Sequence, residues 1–386
     1  IPGIWKGNMR DFCGTVLLEK KFFITEEQAV TPAEILMGAF TDADKIYING
    51  ICCGSSYDRY APRIYPVAPG ILRAGENVVC IHLYVFRGRG GAMPGKQYGI
   101  RFKKGKERWL DLSGTWDAQI RKQMEYSPEK TFFNYMASAM FNGMISPVSP
   151  YKICAVIYYQ GESDVGHPNR YALEFRALVN DWRKSWKEKQ LPIIYVQLAG
   201  FSDGNIKKQG TQWAEFREVQ RQAMEIENTA MVQAYDVGEY NDLHPMDKKA
   251  LGMRAALAVH KLVYGEKEEC TGPQVRKIRL DRDKRVYAVF DQPLQTGSKK
   301  DGCELVSEVE LRKANGDYKR AYVTVDGNEI CAWLSDGEEP TGIRYAWKDC
   351  PMNICLYGKK GLPVIPFIKE WGRDAIYTGK ICETDR

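Results

Sequence analysis

The chain has 386 residues, of which 44% are hydrophobic and 12% aromatic, so it can bury sizeable cores and is not a disordered polymer. A chain of this length is longer than one that folds around a single hydrophobic core, so we expect two or three domains. The net charge of +6 is spread without a block of like charges, which argues against a nucleic-acid partner. No run approaches the roughly 18 apolar residues of a membrane span, so no membrane partner is expected.

The first segment has the pattern of a β-sandwich. Short runs rich in β-branched and aromatic residues lie between turn signals and predict strands at residues 15–19, 34–38, 45–49 and 77–84. Asn49-Gly50 predicts a hairpin turn, because both residues tolerate a positive φ. Closely spaced strands with such turns are typical of a sandwich, which we assign to residues 1–120.

The middle segment, residues 121–270, has an α/β pattern in which buried strands alternate with amphipathic helices. Apolar runs predict strands at 155–159, 193–198 and 230–235, and helical spacing predicts helices before 193, at 212–228 and at 245–264. This alternation predicts a doubly wound parallel sheet, with strand 155–159 buried on both faces. Because three strands make a short sheet, we expect one exposed edge unless another segment covers it.

The last segment, residues 271–386, returns to strand-like runs. They predict strands at 286–290, 305–311, 321–325 and 330–334, with turns at Asn315-Gly316 and Asp326-Gly327. The pattern indicates a small C-terminal β-domain.

The eleven cysteines are an odd number and include no CxxC pair, so neither a disulfide framework nor a cysteine-rich zinc site is indicated. Cys80, Cys154 and Cys331 lie in apolar, strand-like runs. We expect them to be buried thiols. A set of cysteines without a disulfide pattern favours a reducing compartment, or a periplasm in which the thiols are buried.

Of the four histidines, His244 is the best candidate for chemistry. It follows the third predicted strand directly, and ligands of open parallel sheets bind at the carboxyl ends of the strands. Asp242 is close enough in sequence to hold the tautomer of an imidazole, as in serine hydrolases. The alternative is that Asp242 only caps the helix that follows. His82 and His260 are expected to be structural.

A second polar cluster follows the first strand of the predicted sheet: Tyr159-Gln160-Gly161-Glu162-Ser163-Asp164. Ser163 could be a nucleophile, but the Gly-x-Ser-x-Gly elbow fails because residue 165 is valine. The alternative is an ordinary polar loop in which Asp164 or Asn169 caps the next helix. A metal site of Asp164, His167 and His244 lacks ligand spacing.

These blocks resemble those of the sialate O-acetylesterases, a branch of the SGNH/GDSL hydrolase superfamily. Residues 158–163, Tyr-Tyr-Gln-Gly-Glu-Ser, are similar to the family's Trp-Tyr-Gln-Gly-Glu-Ser block, and Asp242-Leu243-His244-Pro245 is similar to its histidine block. Further similarities lie at residues 42–50, 70–77, 141–147, 343–347 and 361–367. The resemblance covers nearly the whole chain in family order.

The resemblance implies an SGNH-hydrolase-like (flavodoxin-like) parallel sheet with helices on both faces, an inserted β-sandwich and a small C-terminal β-domain. It implies a serine esterase without cofactor or metal that removes acetyl groups from sugars, with 9-O-acetylated sialic acid as the expected substrate. His244 would be the general base, and Gln160 and Glu162 would line the site, Gln160 as an oxyanion or substrate-orienting donor. Asp242 is the nearest acid, although the family often places its acid where this chain has Asn241.

The sequence departs from the family at the nucleophile, which the family carries in a Gly-Gln-Ser-Asn block upstream of the sandwich. This sequence opens at Ile1 without methionine and contains no Gly-Gln-Ser or Gly-Asp-Ser. We expect a periplasmic or secreted protein, processed or fragmentary, whose nucleophile belongs to an upstream segment or small subunit. The alternatives are Ser163 as nucleophile, a truncated esterase without a nucleophile, or a non-catalytic carbohydrate-binding protein.

Overall fold

The computed structural model describes residues 1–105, 108–128, 133, 136–202, 209–296 and 306–371, and the backbone of 382–383. Its contacts divide the chain into two units, Ile1–Phe133 and Asn134–Arg386. The three-domain division at residues 120 and 270 stays a prediction.

The first unit is built from antiparallel sheets around one hydrophobic core. Five strands pair in the order β12-β2-β8-β5-β6, four in the order β11-β10-β3-β7, and three short ones in the order β1-β9-β4. Strand residues facing inward from the two larger sheets share that core, as in a sandwich. The elements are β1 Gly3–Ile4, β2 Gly14–Ile24, α1 Glu26–Ala29, β3 Ala33–Met37, β4 Phe40–Thr41, β5 Ala43–Ile48, β6 Ile51–Ser56, β7 Ile64–Val67, β8 Gly75–Val85, β9 Gly91–Ala92, β10 Tyr98–Phe102, β11 Trp109–Asp111 and β12 Asp117–Gln123.

The predicted hairpin turn joins β5 to β6. Asn49 and Gly50 have φ of 50° and 81°, the left-handed values that such a two-residue turn requires. The Asn49 side chain also donates to Asn77 Oδ1 at 2.8 Å, which ties the turn to the strand beside it. The turn is therefore fixed by local backbone preference and by a side-chain bond.

A parallel three-stranded sheet forms the centre of the α/β part. Its strands pair in the order β13-β14-β15 with the register Tyr158↔Tyr195 and Val196↔Val232. Helices alternate with these strands along the chain, as predicted. The elements are β13 Val156–Tyr158, α2 Pro168–Ser185, β14 Ile193–Val196, α3 Gln212–Gln222, β15 Thr229–Val232 and α4 Lys248–Tyr264.

Two helix boundaries differ from the prediction. The backbone after α3 narrows to a 3₁₀ turn, Ala223–Glu225, so the helix is shorter than 212–228. Helix α4 begins at Lys248 rather than 245, because the Asp247 carboxylate accepts from Ala250 N and caps it there. The interpretation of Asp242 as the cap of this helix was therefore wrong.

The two faces of the parallel sheet are covered unequally. Helices α2 and α3 pack with Ile193, Tyr195 and Met231 on one face, whereas α4 packs over β14 and β15 on the other. Ile157 of β13 points to the side of α4 and is 58% exposed. The prediction that this strand is buried on both faces was wrong, because α4 does not extend over it. Among the described residues β13 is also an edge strand, as expected for a three-stranded sheet.

The C-terminal strands form three antiparallel sheets, ordered β21-β22-β17-β16-β26, β20-β19-β23-β25 and β18-β24. Their core includes Tyr235, which follows β15, so this β-part packs against the end of the parallel sheet. Residue 305 of the predicted strand 305–311 lies outside the described residues. The strands are β16 Val275–Leu280, β17 Val286–Phe290, β18 Leu294–Thr296, β19 Val309–Arg312, β20 Tyr318–Arg320, β21 Tyr322–Asp326, β22 Glu329–Trp333, β23 Gly342–Tyr345, β24 Leu356–Gly358, β25 Phe367–Glu370 and β26 Cys382–Glu383.

Within the described residues, no helix has both the length and the apolar character needed to span a membrane.

All nine cysteines that the structure describes have free thiols. Cys154 was predicted to be buried but is exposed, because it precedes the edge strand β13 rather than lying within a covered sheet. Cys80 and Cys331 are half-buried, since they lie on outer faces of antiparallel sheets.

Thiol exposure predicts the order of alkylation. We expect iodoacetamide at pH 8 to modify Cys52 and Cys154 first, and buried Cys13 and Cys270 only after unfolding. Burial raises the pKa of Cys80 to about 11, which lowers its thiolate fraction roughly 100-fold relative to a thiol of pKa 9. Peptide mass spectrometry over a time course measures this order, and rapid labelling of Cys13 would contradict it.

Candidate active site

The predicted functional residues lie at the carboxyl edge of the parallel sheet. Residues 159–164 follow β13, residues 197–202 follow β14, and residues 233–244 follow β15. Lys248, four residues after His244, holds its Nζ 5.4 Å from the centroid of the Tyr159 ring. This contact brings the first residue of α4, three residues after the histidine block, to the block after β13, so both blocks share one edge.

The side chain of Gln160 is bonded at both ends of its amide. The Tyr158 hydroxyl donates to Gln160 Oε1 at 2.9 Å, and Gln160 Nε2 donates to Asp164 Oδ2 at 2.7 Å. The carboxylate of Asp164 is thus engaged by Gln160, whereas α2 begins after His167 without a side-chain cap. The interpretation of Asp164 or Asn169 as a cap of this helix was wrong.

Gly161 lets the chain turn tightly after β13. Its φ of 147° is in the range that side chains other than glycine rarely adopt. A Cβ at this position would lie 2.8 Å from Phe216 Cε1 and 3.5 Å from Gln220 Nε2 of α3. The turn that carries Gln160 and Glu162 therefore packs closely against α3.

We expect Gly161→Ala to lower the free energy of unfolding by about 2 kcal/mol, because it adds both backbone strain and a clash with Phe216. Gly166→Ala is the matched control, since a Cβ there meets nothing within 4 Å. We expect the control to change stability by less than about 0.5 kcal/mol. Urea unfolding followed by tryptophan fluorescence measures both variants, and equal effects would contradict the prediction.

The side chain of Asp242 forms a hydrogen bond with the backbone of His244. Asp242 is 6% exposed, and its Oδ1 accepts from His244 N at 2.9 Å. His244 itself is exposed. This bond fixes the main chain that carries the imidazole, and the triad acid stays a prediction.

A buried ion pair holds the beginning of the histidine loop. Arg254 of α4 binds both carboxylate oxygens of Asp236 at 2.7 Å, and its Nη1 also donates to Gln233 O at 2.7 Å. The side chains are 10% and 4% exposed, respectively. This arrangement ties the end of β15 to the helix that follows the loop.

The other predicted residues of the first block differ in their surroundings. Glu162 is partly exposed in the 3₁₀ turn Glu162–Asp164. Ser163 is exposed, and its hydroxyl forms no hydrogen bond with His244 or with any other described residue. The Tyr159 hydroxyl is buried and has no hydrogen-bond partner among the described residues. Burial, assisted by the charge of Glu162, raises the pKa of Tyr159 well above its usual value.

Neither His82 nor His260 lies at this edge, and the described residues form no metal cluster there. Burial and the nearby Arg121 and Lys45 lower the pKa of His82, which lies in the first unit. His260 bonds Glu266 through Nδ1 at 2.7 Å near the end of α4. Within the described ranges, no group of three or more His, Cys, Asp or Glu could hold a metal ion.

The sequence did not predict the brace that the C-terminal β-part places on this edge. Asp349 Oδ1 accepts from Trp213 N in the first turn of α3, and Phe201 N donates to Asp349 O. Arg217 is fully buried and donates to the carbonyls of Lys348 and Asp349, and burial lowers its pKa to about 10. Only the similarity of residues 343–347 to the family's blocks marked this region in the sequence.

Comparison with known proteins places both polar blocks in one family domain. The family model described as "Carbohydrate esterase, sialic acid-specific acetylesterase" matches residues 117–261, which include Gln160 and His244. The chain is a relative of the sialate O-acetylesterases. The human sialate O-acetylesterase is 28% identical over 264 residues, and the mouse protein is 31% identical over 275 residues.

These matches cover part of each relative. The alignments include 60% of this chain but 48% of the human and 47% of the mouse sialate O-acetylesterase. The crystal structure of a carbohydrate acetylesterase from Xanthomonas citri matches with 29% identity and a TM-score of 0.53, over 59% of this chain and 52% of that one. The chain thus spans about half the length of the relatives it matches.

Proposed function

We propose that the chain is the larger part of a carbohydrate O-acetylesterase that hydrolyses acetyl esters of sugars, and that 9-O-acetylated sialic acid is its substrate. One observation carries this proposal: the esterase family match at 117–261 includes two polar blocks, and Lys248 and Tyr159 bring these blocks to one sheet edge. The shared edge supports a single site in which Gln160 and His244 act on the same ester.

In the proposed mechanism, a serine hydroxyl attacks the acetyl carbonyl while His244 removes its proton. The tetrahedral oxyanion is stabilised by backbone N–H groups and by the amide of Gln160. The sugar oxygen leaves with the proton that His244 carries, and an acetyl-serine remains. His244 then deprotonates a water molecule, which attacks the acetyl-serine and releases acetate and the free serine. Glu162 lines the site beside Gln160.

The nucleophilic serine is proposed to come from a polypeptide segment outside these 386 residues. Two surface features support a place for it. In the part of the chain that the structure describes, strand β13 has one free edge, beside which Ile157 is exposed. Between the short π-helix Phe141–Ile145 and α2 lies an open groove of about 760 Å³, whose mostly apolar lining includes Met140, Met144 and Trp182. A strand added beside β13 would pair its free backbone groups.

The test is an assay of acetate release with and without that segment. The chain is purified alone and with a co-expressed segment that carries a Gly-Gln-Ser block, taken from the gene region upstream of Ile1. Each preparation is given 4-nitrophenyl acetate, 9-O-acetylated sialic acid and acetylated xylan, and intact mass identifies every polypeptide present. Activity that requires both polypeptides and favours the sialic acid ester is the expected result.

The same assay discriminates the alternatives. Activity of the chain alone that is lost in Ser163→Ala would overturn the two-part proposal in favour of Ser163 as nucleophile. A preparation that binds acetylated glycans but releases no acetate, with or without the segment, would indicate a carbohydrate-binding protein instead. If acetylated xylan is the preferred substrate, the proposed esterase activity stands, and the proposal of 9-O-acetylated sialic acid as the substrate is wrong.

A further inference from the structure

We propose that Tyr158 and Asp164 are positioning residues that fix the orientation of the Gln160 amide, so that one Nε2 proton stays available for the substrate oxyanion. This inference rests on the proposed esterase function. It concerns two residues that neither act on the ester themselves nor belong to the histidine block.

The first step is the assignment of the amide ends. A glutamine amide has a donor end and an acceptor end of nearly the same shape, so its surroundings decide which way it lies. The Asp164 carboxylate can only accept, and its Oδ2 is 2.7 Å from Gln160 Nε2. The Tyr158 hydroxyl then donates to Oε1 at 2.9 Å. The two neighbours therefore agree on one orientation of the amide.

The second step is that both neighbours are themselves held in place. The ring of Tyr158 packs 5.8 Å from the ring of Phe175 and 5.6 Å from that of Trp182, both on α2. Asp164 lies in a hydrogen-bonded turn, in which its N–H donates to Gly161 O and its carbonyl accepts from His167 N. The Gln160 amide is thus clamped between a packed aromatic ring and a rigid turn.

The third step concerns what this clamp leaves free. The Nε2 group has two protons, and Asp164 takes one. The second has no partner among the described residues, at the sheet edge where the ester is proposed to bind. If the amide turned over, the lone pairs of Oε1 would face the oxyanion and repel it. A donor fixed before the reaction stabilises the transition state without reorganisation.

The inference makes Asp164→Asn the decisive variant. Asparagine keeps the size of the side chain but can donate to Oε1, so it permits the amide to turn over. In the two-polypeptide enzyme we expect kcat to fall about 100-fold while KM changes less than about 3-fold, because the lost interaction belongs to the transition state. Tyr158→Phe removes only the donor to Oε1, and we expect a smaller loss of about 5- to 10-fold. Asn169→Ala is the control, because Asn169 is exposed in the first turn of α2, close to Asp164 in sequence.

A second readout does not depend on activity. The chain is labelled with ¹⁵N at its glutamine side chains, and the Nε2 signals of Gln160 are assigned with Gln160→Ala. We expect one shifted proton that exchanges slowly in the wild type and in Asn169→Ala, and loss of this shift and protection in Asp164→Asn. Thermal unfolding shows that each variant is folded, and Tyr158→Phe provides a second test if Asp164→Asn is not.

The two readouts separate the failure of this inference from that of the proposed function. If the wild-type complex releases no acetate, the proposed function fails, whereas the amide signals still decide whether the clamp exists. Unchanged Gln160 signals in both variants would overturn the inference. An active enzyme in which both variants keep wild-type kcat would also overturn it.

Discussion

Replacing His244 with alanine is expected to lower kcat of the proposed two-polypeptide esterase by about 10⁴-fold or more. Without the imidazole, no group of the site takes the serine proton or activates the water that cleaves the acetyl-serine. The side chain of His244 is exposed, so its removal leaves no cavity, and we expect stability to change by less than about 0.5 kcal/mol. Release of 4-nitrophenol and acetate under saturating substrate measures the loss.

His260→Ala is the matched control for this variant. His260 is also an exposed histidine of the second unit, but it bonds Glu266 near the end of α4, away from the carboxyl edge. We expect the control to keep wild-type kcat and KM. Substantial activity in His244→Ala would assign the base to another residue, and equal losses in both variants would indicate a general effect of removing a histidine.

The edge position of His244 was predictable from the sequence because it depends on local order. A buried strand, a short polar loop and a helix follow one another along the chain, and parallel strands place such loops at one edge. The hairpin at Asn49-Gly50 was predictable for a similar reason, since the turn type is set by the φ values of two residues. Structural features that depend only on consecutive residues can be predicted from the pattern of the sequence.

Burial in the sheet was less predictable, because it depends on what packs on top. The apolar run at β13 reads as a fully covered strand, yet Ile157 is exposed since α4 lies over β14 and β15. Cys154 was misjudged for the same reason. The hydrophobicity of a residue shows that it can be covered, but not which element covers it or whether that element belongs to the same polypeptide.

The roles of polar residues were predictable only in part. Gln160 was identified through the family block, but its bonds to Tyr158 and Asp164 depend on the turn at Gly161. Asp242 was considered as the partner of His244 or as a helix cap, and its Oδ1 accepts a hydrogen bond from the backbone N–H of His244. In each case several acceptors stand near one donor in sequence, and only the folded backbone selects among them.

Breaking the ion pair between Asp236 and Arg254 is expected to be the most destabilising change near the site. Asp236→Ala leaves the guanidinium of Arg254 buried, with the Gln233 carbonyl as its one remaining acceptor among the residues that the structure describes. A buried charge that loses its partner typically destabilises a protein by about 3–5 kcal/mol. Because this pair joins the end of β15 to α4, we expect the intervening loop with His244 to open more often.

Hydrogen exchange read by mass spectrometry measures that opening on peptides covering residues 229–264, and it reports the local free energy directly. The matched control is Glu174→Ala, which breaks the pair with Arg170 on α2, whose side chains are 52% and 71% exposed. We expect the control to change the local free energy of opening by less than about 0.5 kcal/mol, because solvent screens such an exposed ion pair. Similar protection of the loop in Asp236→Ala and the wild type would mean that packing, rather than this ion pair, holds His244 at the sheet edge. Faster exchange confined to the loop and the start of α4, together with a reduced kcat, would instead show that the buried charge pair positions the proposed base.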